Sequence, residues 1–166
     1  MLLLTNLILP AFAEEVKFIL HDSCINNLYK PAALYFENSE IYVIRDSRGI
    51  ILRFGLVEPE TEYRCLTDKT LEKIQKVGVF LAKIKNPVII EVHVADFKNN
   101  SIKNWEVSAI IAGKLVQMIC LIDKKLKDRI SSVGFGEFLP AKNTSNNGGN
   151  FSNRVDIIIL CNISGE

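Results

Sequence analysis

Asn104-Trp105-Glu106-Val107-Ser108 opens a helical stretch, and Gly134-Phe135-Gly136-Glu137 and Arg154-Val155-Asp156-Ile157 follow it downstream. Residues 105–122 predict a helix whose Val107, Ala112, Leu115, Ile119 and Ile122 line a core face. Upstream, Val88-Ile89-Ile90-Glu91-Val92-His93-Val94 is apolar almost throughout, the pattern of a central strand. Downstream, Arg129 to Phe135 and Val155 to Cys161 read as further strands. In the last of these Ile157, Ile159 and Cys161 fall on one face and Asp156, Ile158 and Leu160 on the other.

Toward the N-terminus, Ile41-Tyr42-Val43-Ile44 and Ile50-Ile51-Leu52-Arg53-Phe54 flank the turn sequence Asp46-Ser47-Arg48-Gly49, which predicts a β-hairpin. Residues 67–84 predict a helix. Thr67 supplies the cap, Asp68 suits the first turn, and Leu71, Ile74, Val77, Leu81 and Ile84 recur at helical spacing until Asn86-Pro87 stops it. The Asn-, Ser- and Gly-rich residues 141–153 predict a loop. The order β-β-α-β-α-β-β defines an α/β fold, a two-layer sandwich in which a mixed sheet carries its helices on one face.

The 166 residues suffice for one domain of ordinary size, and 48% apolar against 23% charged residues is a globular balance. A net charge of +1 gives no bulk attraction to nucleic acid or anionic lipid. Residues 1–13 end in Ala11-Phe12-Ala13, a small-x-small pattern that predicts a signal peptide, although no Lys or Arg precedes the apolar run. That run is too short to span a bilayer, and no later segment is read as transmembrane. Residues 14–40, interrupted at Pro31, are expected to form an extra strand or short helix, an extension packed on the main domain at 41–162. Cys24, Cys65, Cys120 and Cys161 show no Cys-x-x-Cys spacing, so zinc and thioredoxin-like chemistry are not expected. Export permits disulfides, but four buried apolar thiols are the expected arrangement.

Four motifs in order over residues 41–160 resemble the OmpA-like peptidoglycan-binding domain, in particular the form found in flagellar stator proteins such as MotB. The family's apolar-x-apolar-x-Gly-His-Thr-Asp aligns within residues 88–96 in one of two registers. With His93 in register, the acid position is Ala95. Slid by one, the acid is Asp96, but Glu91 then moves to the core face, and strand alternation favours the first. The family's Asn-x-x-Leu-Ser-x-x-Arg-Ala becomes Asn104, Val107, Ser108, Ile111 and Ala112, with Ile111 at the Arg position. Gly134-Phe135-Gly136-Glu137-Phe138-Leu139-Pro140 and Asn153-Arg154-Val155-Asp156-Ile157 complete the match.

The resemblance implies a periplasmic domain, peripheral to the outer membrane or cell wall, whose acid and arginine hold the two ends of diaminopimelate in the peptidoglycan stem peptide. The peptidoglycan-binding positions it implies here are His93, Ala95, Asp96, Asn104, Ile111 and Arg154. Losing two charge-assisted hydrogen bonds lowers affinity by ~3–6 kcal/mol, unless Asp96, Lys98, Lys103 or Lys114 substitutes. Two readings follow: a structural subunit of an envelope assembly of the secretion-system or motor type, with protein partners and weakened diaminopimelate binding, or a working noncovalent wall anchor.

Against these, His93 reads as a structural histidine with no companion acidic cluster, so no metal or other cofactor is expected. Ile111 is divided between core packing and an exposed patch, Asn104 between ligand contact and capping, and Arg154 is expected to position the last strand. Gly134-Phe135-Gly136 reads as a structural turn rather than a phosphate cradle. No nucleophile, acid and base converge in the sequence, so no catalytic residue or enzyme activity is expected.

Overall fold

Five strands form one mixed sheet in the computed structural model of the chain, which describes residues 21–56, 66–95, 100–139 and 152–161. The N-terminal run expected to be a signal peptide, the loop at 141–151 and Asp96 lie outside these residues. Helix α1 covers residues 21–35. There follow β1 (Tyr42–Asp46), β2 (Gly49–Gly55), α2 (Asp68–Leu81), β3 (Val88–His93), α3 (Ser101–Ile122), a 3-10 turn at Lys124–Asp128, β4 (Ile130–Gly136) and β5 (Arg154–Leu160). The spatial order is β1-β2-β5-β3-β4. Only β3 and β4 run parallel, joined through α3, and every other pairing is antiparallel. The expected α/β sandwich is thus the one observed.

Strand alternation decides the core. Ile50, Leu52 and Phe54 of β2, Val88, Ile90 and Val92 of β3, and Val155, Ile157 and Ile159 of β5 share one buried apolar cluster with both main helices. To it α2 gives Ile74, Val77 and Leu81, and α3 gives Val107, Ile111, Ala112, Leu115 and Ile119. Thr67 caps α2 as its position predicts. At the other end the Arg129 guanidinium donates to the carbonyls of Leu81, Ile84 and Asn86 at 2.6–2.8 Å, satisfying acceptors that the helix end leaves open.

Three expectations need correction here. Pro31 does not break the N-terminal segment: α1 runs through it, because Ile25, Ala32 and Phe36 join the core and offset one missing amide bond. Cys24 and Cys161 are not separate thiols but a disulfide, fastening α1 to the end of β5, while Cys120 is free. And α3, at 22 residues, is long and apolar enough to cross a membrane by length and composition, contrary to the reading that nothing after the N-terminal run reaches that length. Seven of its residues are buried in the fold, so one of its faces serves the core.

Candidate functional site

The start of α3 and the end of β4 are locked together by the two sequence stretches that open and close the crossover. A β-carbon on Gly134 would lie 2.3 Å from the Ala109 amide nitrogen, so only glycine lets α3 lie directly on β4. Gly136 combines a φ of +55° with the backbone of Trp105 at 2.9 Å from where its β-carbon would stand. Its N–H donates to Ser108 Oγ at 2.9 Å, and that hydroxyl donates to the Trp105 carbonyl at 2.7 Å. The Gly-Phe-Gly segment is therefore the close-packed end of a strand rather than the expected turn.

Just beyond it, Glu137 receives Asn104 Nδ2 at 3.1 Å and the Ser101 hydroxyl. Asn104 is fully buried in the first turn of α3 and does not cap it. Asn100 does, through its side-chain oxygen and the Lys103 amide at 3.0 Å. Glu137, Ser101 and Asn104 thus meet at the start of α3, with the exposed Glu137 outermost and Asn104 buried beneath it. On the β3 side Ala95 is exposed, and its N–H donates to Asn153 Oδ1 at 2.8 Å. Ile111 is completely buried in the core, which decides for packing against an exposed patch.

On the sheet face opposite the helices, a second cluster forms that sequence reasoning missed. Glu91, His93 and Asp156 are buried, and their ligand atoms lie within 4.8 Å of one another, so His93 does have acidic companions. Register brings them together: Asp156 is paired with Glu91 on β3 and with Arg53 on β2, and His93 with Arg154. Three guanidiniums close the cluster. Arg53 grips both oxygens of Asp156 at 2.6 and 2.8 Å, Arg154 Nε reaches the same carboxylate at 3.0 Å, and Arg48 meets Glu91 at 2.7 Å. These bonds occupy both oxygens of Asp156 and one of Glu91, lone pairs that a metal ion needs, and with Asp46 also paired to Arg48 at 2.8 Å three cations already balance three carboxylates. The available sequence signal was the pair of polar residues two apart in each of two otherwise apolar strands.

His93 Nδ1 faces the Phe138 carbonyl at 3.3 Å, which makes Nδ1 the protonated nitrogen. The ring stacks on Phe135 with centroids 5.2 Å apart. Burial, then the nearby Arg154 charge, push its pKa down to about 4, so the ring is neutral near pH 7. Arg154 also donates to the Leu139 carbonyl at 2.9 Å, tying β5 to the segment after β4 as its expected positioning role requires. Elsewhere, a separate open cleft of about 310 Å³ is lined by Lys69, Lys73, Lys76 and Glu40, with Lys73 paired to Glu40 at 2.7 Å.

A hairpin, two helices on one face and a parallel β3–α3–β4 crossover beside an antiparallel β5 define the OmpA-like class of sandwich. Solved structures of that class share the fold. A putative MotB-like protein from Desulfovibrio vulgaris is similar at 21% identity and a TM-score of 0.68, over 89% of this chain and 96% of that one. An outer membrane protein from Borrelia burgdorferi B31 is similar at 27% identity and 0.54, over 72% and 96%. The cell wall anchor of the T6SS from Pseudomonas aeruginosa is similar at 17% and 0.58, over 77% and 95%. No protein-family model matches the chain, and no curated protein sequence does.

Proposed function

We propose that the chain is a non-enzymatic scaffold domain of the bacterial envelope, placed in the periplasm beside peptidoglycan, that holds protein subunits of an envelope assembly and has a weakened or lost grip on diaminopimelate. One observation carries this reading: Ile111, at the position where the resemblance expects the gripping arginine, is sealed in the core, while Ala95 offers only a methyl group. Fold likeness to a T6SS cell wall anchor and to a MotB-like protein supports the envelope setting. The Cys24–Cys161 disulfide suits an oxidising compartment. Attachment to the outer membrane or to a secretion system belongs to the same proposal. Sedimentation with purified sacculi tests it: little protein should pellet at micromolar concentration, and saturable micromolar binding overturns it.

The alternative is a working wall anchor. It is favoured by the exposed Glu137 carboxylate, which Asn104 and Ser101 hold at the start of α3 and which suits an ammonium group. Tight muropeptide binding that is abolished by Asn104→Ala or Glu137→Gln would establish this second reading.

A further inference from the structure

Helix stability does not account for the lysines of α2. Cations suit the last turn of a helix, yet the last turn of α2 holds none, and Lys69 stands in the first, where the dipole opposes it. At 3.6 residues per turn, Lys69, Lys73 and Lys76 fall within a sector of about 60° and make one row. That row borders the open cleft of about 310 Å³, which Asn38, Ser39 and Glu40 line from beyond the end of α1. Rings hold two of the amines in place. Lys73 Nζ lies 5.8 Å from the centre of the Phe54 ring, and Lys76 Nζ lies 5.7 Å from that of Tyr35 and 5.9 Å from that of Phe36. Lys73 and its partner differ in freedom. The Lys73 side chain is 14% exposed, whereas that of Glu40, which meets it at 2.7 Å, is 73% exposed. Lys73, and then Lys69, hold the Glu40 carboxyl below the usual carboxylate range, so this one acid serves two amines. An ion pair with so exposed an acid is weak, and the acid can swing out while the packed lysine stays.

We propose that this cleft binds a phosphate monoester carried on a sugar, and that the phosphate displaces the Glu40 carboxylate from Lys73. Charge selects the ligand. With Glu40 swung out, three ammonium groups face the cleft against the one carboxylate of Glu72, an excess of two positive charges. A phosphate monoester carries about −1.5 to −2 near neutral pH and offers three oxygens, one for each amine. A carboxylate brings one charge and two oxygens, and only repeats what Glu40 already supplies. Size limits what the phosphate is attached to. The cleft is at the small end of the range for ligand pockets, which suits one sugar ring and excludes a longer polymer. Asn38 and Ser39 place an amide and a hydroxyl at the rim, groups that meet sugar hydroxyls.

The test titrates the full chain with glucose 1-phosphate and follows backbone amide NMR shifts. Saturable shifts should centre on residues 38–41 and 69–76, with a Kd on the order of 1 mM, and unphosphorylated glucose should produce none. Lys73→Gln should raise the Kd at least about tenfold, and Lys127→Gln, in the turn after α3, should leave it unchanged. Glu40→Gln removes the competing acid and should lower the Kd by roughly threefold to tenfold, a gain that a merely structural Glu40 does not produce. Phosphatidic acid vesicles carry the same monoester on a lipid. Release of vesicle-bound protein by glucose 1-phosphate supports a lipid-borne source for the same cleft, and shifts with the free sugar phosphate but no vesicle binding support a soluble one. A chain with no saturable shift by about 20 mM glucose 1-phosphate overturns the proposal. So does a Glu40→Gln variant that binds no more tightly than the unmodified chain. Equal binding to phosphatidylglycerol, which offers only a diester, with no response to glucose 1-phosphate, overturns it as well.

Discussion

His93 Nε2 points at Asp156 Oδ2 across 3.9 Å and, among the described residues, has no hydrogen-bond partner. Since Nδ1 holds the proton against the Phe138 carbonyl, Nε2 presents a lone pair to a carboxylate already filled by Arg53 and Arg154. This makes the fold sensitive to acid. The folded ring has its pKa pushed down to about 4, whereas the unfolded ring titrates near 6.5. Between those values the unfolded chain binds the extra proton, so stability rises with pH through this window and falls as pH drops through it. The loss on going from pH 7 to below 4 is about 3 kcal/mol from this group. Urea midpoints at a series of pH values check it, and His93→Gln should flatten the slope between pH 4 and 6.5.

Asp156→Asn removes the charge shared by two buried guanidiniums. Arg53 and Arg154 are left facing each other across a neutral amide, and the expected loss is ~3–5 kcal/mol. Replacing Arg53 and Asp156 together by Met and Leu should recover part of it, because the remaining cluster then loses one cation with its anion. A double-mutant cycle in urea measures the difference.

Gly134→Ala should destabilise by at least ~1–3 kcal/mol, since the added methyl meets the backbone of α3 and no side chain can swing aside. Thermal melting reads the loss. The same change at Gly113, which faces open space, should be neutral or stabilising by ~0.5–1 kcal/mol.

Cys24→Ser, or reduction, opens a link between residues 137 apart in sequence, with an expected loss of ~2–5 kcal/mol. The loss should concentrate in α1. Limited proteolysis should cut residues 21–35 first, before the sheet unfolds.

Introducing the charges that the resemblance expects at Ala95 and Ile111 should fail in an unequal way. Ala95→Asp, at an exposed position, should leave stability within ~0.5 kcal/mol. Ile111→Arg places a guanidinium in a fully buried apolar site and should cost several kcal/mol or unfold the domain. Denaturation midpoints of the two single variants give the comparison, and sacculus sedimentation of Ala95→Asp should show no gain in binding.

The parts of the fold legible in sequence were those governed by short-range rules. Asp46 to Gly49 signalled the hairpin, Thr67 the α2 cap, and the period of Val107, Leu115 and Ile119 the core face of α3. The motif stretches at Asn104 and Gly134 pointed to the same corner of the molecule, although the reason, close helix–strand contact through Gly134, needed coordinates. What escaped depended on contacts between distant residues. Nothing local distinguishes Cys24 and Cys161 from buried thiols. Pro31 looked like a break because local cost was visible and the burial of Phe36 was not. The Arg53–Asp156 pair needed the β2–β5 register, and Asn104 stayed divided between ligand contact and capping because the sequence does not show that α3 begins one turn earlier, at Asn100.

The link between Cys24 and Cys161 has a mechanical consequence. A pull exerted on the chain ahead of α1 and resisted beyond β5 travels through one covalent bond, bypassing the sheet's backbone hydrogen bonds. The strands are neither peeled nor sheared under that load, and the domain keeps its shape as a rigid bead on a tether until the sulfur bridge itself gives way.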